Sequence, residues 1–342
     1  MDKVLKVGII GCGGMGRDHC RRIINNIPGA TVVAVGDYYA PAADDTAAQF
    51  GIKSYGNDCD AVINDPEVEA VLVVTSDPTH FEYSMKVLEA GKWCFTEKPL
   101  AQNAADCEAL MKKEIEIGKR MLQVGFMRHY DRGYAEMKRI IDSGEIGKPL
   151  IIKAAHRNVS QPPGFQTEQG VSNVGIHELD ICRWLLDDEY EDGQVIKVRQ
   201  TSNSTEYENP QTILLRTKKG CFIDVEIQCA DGYGYDIQCE VVCENGTVKL
   251  PDPYAVVKRS RPDPEKLPGA NMPIMVDWKD RFIEAYDIEF TEWVAAVHEG
   301  KLNGPSTWDG YAACVAADAL NASRGTSQFK KIEMIEKPDL YK

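Results

Sequence analysis

No stretch of the 342 residues is apolar for long enough to cross a bilayer. The opening "MDKVLKVGII" runs at once into a glycine-rich loop, without the long apolar core and small-residue cleavage site of a secretory signal. Membrane insertion and export are therefore not expected, and the chain reads as cytoplasmic. Basic charge is short too: 39 Lys and Arg stand against 53 Asp and Glu, the formal net charge is −14, and the cations are scattered. Such a surface repels nucleic acid and anionic lipid, so a small molecule is the expected partner. Repeats and low-complexity tracts are absent. None of the eleven cysteines clusters with histidine at metal-ligand spacing; the pair Cys239 and Cys243 in "CEVVC" reads as core packing, and no metal is expected.

What remains is a globular composition, 43% hydrophobic and 27% charged, in a chain too long for one ordinary core. Up to about residue 125, short β-branched runs ("VLKVGII", "TVVAVGD", "AVLVVT", "KWCF", "RMLQVGF") alternate with helical patterns. That order predicts a doubly wound parallel sheet, an α/β dinucleotide-binding (Rossmann) domain over residues 1–125. From residue 126 to 342 strands follow one another through turns ("LIIKAAHRN", "QVIKVRQTS", "TILLRTK", "CFIDVEIQC", "YDIQCEVVC", "GTVKL"). These predict a second α/β domain on a largely antiparallel open sheet, with a long loop at 252–275 and closing helices in "DIEFTEWVAAVHEG" and "WDGYAACVAADALNASR".

Each end of the chain carries a chemical pattern. "KVGIIGCGGMGRDH" sets Gly11, Gly13 and Gly16 in G-x-G-x-x-G order between a strand and a helix, with Gly14 and Met15 inside the turn. The glycines allow a tight turn, backbone approach to a pyrophosphate and close helix packing, while the helix N-terminus offers free N–H groups. Asp37 ends the next strand, 21 positions after Gly16, with Tyr38 beside it. A carboxylate there accepts from both ribose hydroxyls and repels a 2′-phosphate, so NAD is favoured over NADP. Ser76 and His80, after "AVLVVT", and Glu97 and Lys98, at the end of "KWCFTEK", also fall where open α/β sheets bind ligands.

A desolvated Lys98 beside a dinucleotide can donate to a substrate hydroxyl and stabilise developing alkoxide charge. In "SNVGIHELDICRW", helical spacing places Asn173, His177, Asp180 and Trp184 on one stripe, with Asn173 or Asp180 able to orient the imidazole. A lone helix histidine is more often structural, and the pattern alone does not reverse that. Strand alternation puts His156 with Asn158 and Tyr233 with Tyr235 on shared faces, suited either to a polyhydroxylated ring or to an ordinary exposed sheet face.

Taken together, "GxGxxG" with Asp37, "EKPLA" and "GIHELDICRWL" resemble the Gfo/Idh/MocA oxidoreductases; "QVGFMRHYDRGY", "AHRN", "GYDIQCEVV", "DWKDRFIEAYDIE" and "GPSTWDGYAA" are similar to the inositol 2-dehydrogenase branch. The resemblance implies hydride transfer between a ring CH–OH and a nicotinamide, and dimers or tetramers built on the open sheet. It implies Lys98 at the reacting oxygen, His177 as acid/base, and Arg128, His156, Asn158, Asn173, Asp180 and Tyr235 around the substrate. Trp278 is implied near the nicotinamide.

One departure stands out. Where the branch carries Asp-Thr four residues before the histidine, this chain has Asn173 and Val174. A neutral amide orients an imidazole without stabilising its cation, and the pocket gains apolar surface. The expectation is NAD-dependent oxidation of a secondary hydroxyl of a cyclic polyol, pyranose or glycoside. The alternatives are strict myo-inositol 2-oxidation, 3-oxidation of a glycoside preparing glycosidic-bond elimination, and a non-catalytic NAD sensor.

Overall fold

A computed structural model describes residues 4–204, 206–251, 275 and 277–342. The loop expected at 252–275 lies outside the described residues except for Met275. The apolar runs of the first part form strands β1 (Leu5–Ile10), β2 (Ala30–Gly36), β3 (Lys53–Ser54), β4 (Ala70–Val73), β5 (Trp93–Glu97) and β6 (Leu122–Gly125). Between them lie helices α1 (Gly14–Asn26), α2 (Ala40–Phe50), α3 (Cys59–Asn64), α4 (His80–Glu89) and α5 (Ala104–Ile117). The six strands are all parallel, in the order β3-β2-β1-β4-β5-β6. Strand order reverses between β1 and β4, which opens a crevice at their carboxyl ends.

Helix α6 (Arg132–Ser143) leads into the second sheet of seven strands: β7 (Pro149–Arg157), β8 (Tyr190–Lys197), β9 (Gln211–Thr217), β10 (Phe222–Gln228), β11 (Asp236–Cys243), β12 (Thr247–Lys249) and β13 (Lys330–Lys331). Its order is β12-β11-β7-β10-β9-β8-β13, antiparallel throughout except for the central β7/β10 pair. In β10 alternate residues are buried against helices α7 (Ile176–Leu186) and α9 (Thr307–Ser323). The strands β3 and β13, two residues each, are too short to show a period and escaped the sequence reading.

The two sheets do not have separate cores. Helix α8 (Trp278–His298) begins nine residues before the expected segment, capped by Asp277, and returns to the first sheet, where Phe290, Trp293 and Val294 pack with Ile9, Val35 and Phe95. Helix α9, held at its start by a Ser306–Asp309 capping box, lies between α5 and α7. All eleven cysteines are buried thiols, Cys239 and Cys243 among them. No described helix is long and apolar enough to cross a membrane.

Candidate active site

Glycine chemistry at the crevice divides into packing and access. Gly11 has φ +98°, and a Cβ there falls 2.3 Å from Val74 O; at Gly16 it falls 1.9 Å from Gly11 O. A Cβ at Gly13 or Gly14 meets nothing within 4 Å, so this part of the turn faces open space. Gly13 caps α1 without any side-chain bond, which leaves the helix's first N–H groups for an anion. Asp37 Oδ2 accepts from Cys12 N at 2.6 Å and Oδ1 from Tyr39 N at 2.8 Å, tying the carboxylate to the loop at the place a ribose diol requires. Tyr38, 87% exposed, stands at the lip, and Ser76 is exposed after β4. These residues fit a dinucleotide.

The same geometry separates two variants. Gly13→Ala should fold with an unchanged melting temperature yet bind NAD at least ~10-fold more weakly, whereas Gly16→Ala should lose stability as well, by about 1–3 kcal/mol. Calorimetric titration beside thermal unfolding distinguishes them.

Two expected cofactor contacts lie elsewhere. His80 is 1% exposed, with Nδ1 2.7 Å from Pro99 O and Nε2 3.1 Å from Thr75 O. Both ring nitrogens face backbone carbonyls, which only accept, so each N–H the ring carries bonds a carbonyl and the side chain ties the loops after β4 and β5. Glu97 is buried against His19 Nε2 at 2.9 Å, under Gly125, and braces the first helix against β5.

Beyond the crevice lies a cavity of about 370 Å³ walled by Lys98, His156, Asn158, Asn173, His177 and Tyr235, with Met15 and Trp278 on the cofactor side. They arrive from separate elements: Lys98 directly after β5, His156 on β7 with Asn158 just past its end, His177 on α7 and Tyr235 just before β11. Lys98 Nζ donates to Asn173 O at 3.2 Å, and burial holds its pKa below the ordinary lysine value. His177 is 7% exposed; its Nδ1 is buried without a partner, leaving Nε2 as the nitrogen available to a bound hydroxyl. Burial, then the charges of Lys98 and Arg128, push its pKa well below the ordinary value, so the imidazole is neutral near pH 7.

The continuous polar stripe expected from Asn173 to Trp184 does not form. Residues Gly170–Val174 make a wide π turn, closed by Gly175 N donating to Gly170 O at 3.0 Å, and α7 starts only at Ile176. No bond is described between Asn173 and His177; the Asn173 amide donates to Asp77 Oδ2 across the crevice. Neither Asn173 nor Asp180 orients the imidazole. Asp180, 1% exposed, binds His129 Nε2 at 2.7 Å, and that ring stacks on Trp184, away from the cavity. Tyr233 and Tyr235 do not share a face, because β11 begins at Asp236 and alternation does not reach them. Tyr233 is 51% exposed on Arg157 and Asp236, while Tyr235 lies edge-on to His156 with its pKa pushed up to about 12 by burial.

Arg128 does not line the cavity either. It is 1% exposed and paired with Glu178, a residue the sequence reading missed. His156 Nδ1 lies 2.9 Å from Glu178 Oε2 and 3.1 Å from Arg128 Nη2. A guanidinium cannot accept and a carboxylate cannot donate, so a neutral His156 protonated at Nδ1 satisfies Glu178 and turns an accepting Nε2 outward. Val174 adds its apolar side chain to the lining. Met127, Tyr286 and the segment Ser160–Pro162 complete the wall. Their only signal is nearness in sequence to residues already singled out.

A β–α crevice shaped for a dinucleotide, opening onto a desolvated lysine and a neutral histidine, defines a nicotinamide-dependent oxidoreductase. The profile of the oxidoreductase family's NAD-binding Rossmann fold matches residues 5–126, and that of its C-terminal alpha/beta domain residues 138–334. The chain belongs to the Gfo/Idh/MocA oxidoreductases. It is 46% identical to the inositol 2-dehydrogenase of Klebsiella pneumoniae over 99% of both chains, and 45% identical to that of Pseudomonas fluorescens over 98% and 99%. Among solved structures it is similar to the myo-inositol dehydrogenase of Lactobacillus casei in complex with NAD(H) and myo-inositol. The TM-score is 0.92 at 36% identity, covering 99% of this chain and 100% of that one.

Proposed function

We propose that the protein oxidises one secondary ring hydroxyl of an inositol-like cyclic polyol, with Lys98 and His177 as its catalytic residues. NAD, held by Gly11, Gly13, Gly16 and Asp37, supplies the hydride acceptor when bound. Lys98, as an ammonium, donates to the reacting hydroxyl and stabilises its oxygen as the proton leaves. His177 Nε2, neutral and in the same wall, accepts that proton. The outward Nε2 of His156 with Asn158 and Tyr235 bind neighbouring hydroxyls, while Trp278 and Met15 offer flat apolar contact. The observation that carries this reading is that Lys98, directly after β5, and His177, on α7, line one cavity.

A second reading, 3-oxidation of a glycoside, draws support from an adjoining compartment of about 290 Å³ that shares Asn173, Gln161 and Pro162 with the first and is lined further by Gln102, Gln169 and Phe165. Such space suits an aglycone or second sugar. NADH formation, together with isotope exchange, across myo-inositol, scyllo-inositol, hexoses and aryl glucosides tests both. Turnover of inositols at least ~10-fold above glucosides in kcat/KM is expected. A reversed order favours the glycoside reading, and no exchange with any of them leaves an NAD-binding sensor. We further propose a cytoplasmic homo-oligomer, dimer or tetramer, joined on the helix-free face of the second sheet, where Lys153, Arg157, Asp224, Glu226 and Glu240 are arrayed.

A further inference from the structure

Asp77 opens a single 3₁₀ turn directly after β4, on the dinucleotide side of the crevice. Its carboxylate accepts from the Asn173 amide, 96 positions along the chain, and Asn173's own backbone oxygen accepts from Lys98 Nζ at 3.2 Å. Carboxylate, amide, peptide carbonyl and ammonium thus form one chain of contacts across the crevice. We propose that Asp77 is a positioning residue for the reaction: it clamps the residue that holds Lys98 and supplies, from the opposite wall, the negative charge that position 173 lacks. The inference rests on the role given to Lys98 above.

The charged groups facing Lys98 come from every element around it: Asp77 after β4, Glu97 on β5, Arg128 after β6, and Glu178 on α7, with the neutral rings of His156 and His177 alongside. Burial drives the lysine toward its neutral form, and Arg128 acts in the same direction. The carboxylates oppose this, Asp77 foremost, ahead of Glu97 and Glu178. Glu97 and Glu178 already have close partners in His19 and Arg128, whereas the one side-chain bond described for Asp77 is to Asn173. An aspartate at 173 would set two carboxylates within hydrogen-bond reach, where both cannot stay ionised at neutral pH. An amide at one position and a carboxylate at the other avoids that conflict, and which position holds which is interchangeable in charge.

The test compares Asp77→Asn, Asn173→Asp, the double exchange and Asp77→Glu. Three quantities are read: the kcat–pH profile on the best cyclic polyol, NAD affinity, and the pH dependence of Lys98 labelling by an amine-reactive reagent, followed by peptide mass spectrometry. Asp77→Asn should lower kcat about 10-fold and move the alkaline limb and the labelling midpoint down by about one pH unit, with NAD affinity unchanged. Asn173→Asp should be impaired alone, the double exchange should recover to within about threefold of the parent, and Asp77→Glu should keep the parent's limb. A parental limb and labelling curve in Asp77→Asn, or a double exchange no better than the poorer single variant, overturns the proposal. Labelling requires no substrate, so a protein that oxidised none of the polyols would defeat the functional reading while still reporting whether Asp77 governs Lys98.

Discussion

Lys98→Ala should lower kcat at least ~10²-fold, about 2.7 kcal/mol of transition-state stabilisation, while NAD binds as before. In the proposed mechanism the ammonium meets the developing alkoxide charge, and a methyl group there offers no donor. On the proposed reading NAD is held by the glycine turn and Asp37, and the bond described for Lys98 goes to Asn173 instead. Lys98→Arg should not rescue the activity, because a planar guanidinium cannot take the place of a compact ammonium packed against Asn173 O. Stopped-flow NADH formation with calorimetric NAD titration is the measurement, and a variant retaining half of parental turnover would remove Lys98 from the mechanism.

His177→Ala should match that loss, and its pH signature is more telling. With a pKa pushed well below the ordinary 6.5, His177 stays a competent base as pH falls through 6.5, so the acid limb of kcat should lie clearly below that value. The sign for stability follows from the same shift. Above about pH 6.5 the ring is neutral in both folded and unfolded chains and contributes nothing; below it the unfolded chain binds a proton that the folded one refuses, and stability declines. An acid limb at or above pH 6.5 would contradict a desolvated base.

The largest effect on folding is expected at the ion pair beneath the cavity. Arg128 and Glu178 are each 1% exposed, and the carboxylate also holds His156. Truncating one partner leaves a buried charge uncompensated, so Arg128→Ala should destabilise by about 3–5 kcal/mol and lower the melting temperature by on the order of 5–10 °C. Arg128→Met, which keeps much of the volume, should fall nearly as far, because the charge rather than the cavity dominates. Denaturant unfolding of the three proteins decides: a loss under ~1 kcal/mol in both variants would show that Glu178 finds other partners or takes up a proton at little cost. Arg128, read from the sequence as a substrate contact, would then need another role, since it does not reach the cavity.

These expectations show how unevenly the site could be read in advance. Gly11, Gly16 and Asp37 were legible because their roles are local: a turn, a helix start and a strand end fix them within some thirty residues. The regular strands were legible for the same reason. His80 and Asp180 were misplaced because spacing says where a side chain leaves the backbone and not what captures it. Backbone carbonyls flank His80, and His129 took Asp180. Glu178 carried no signal that set it apart from the other charged residues of its helix, Asp180 and Arg183.

The sequence by itself determined the two α/β units, the dinucleotide turn, the preference for NAD, and Lys98 and His177 as the pair to watch, since each follows from short-range backbone chemistry. Only the tertiary structure decided that these two line one cavity, that the Asn173 amide bonds Asp77 and not the histidine, and that Arg128 is buried with Glu178 outside the cavity lining. Those outcomes depend on which partner wins each polar group once distant segments pack, a competition between contacts 20 to 100 residues apart that no local pattern encodes.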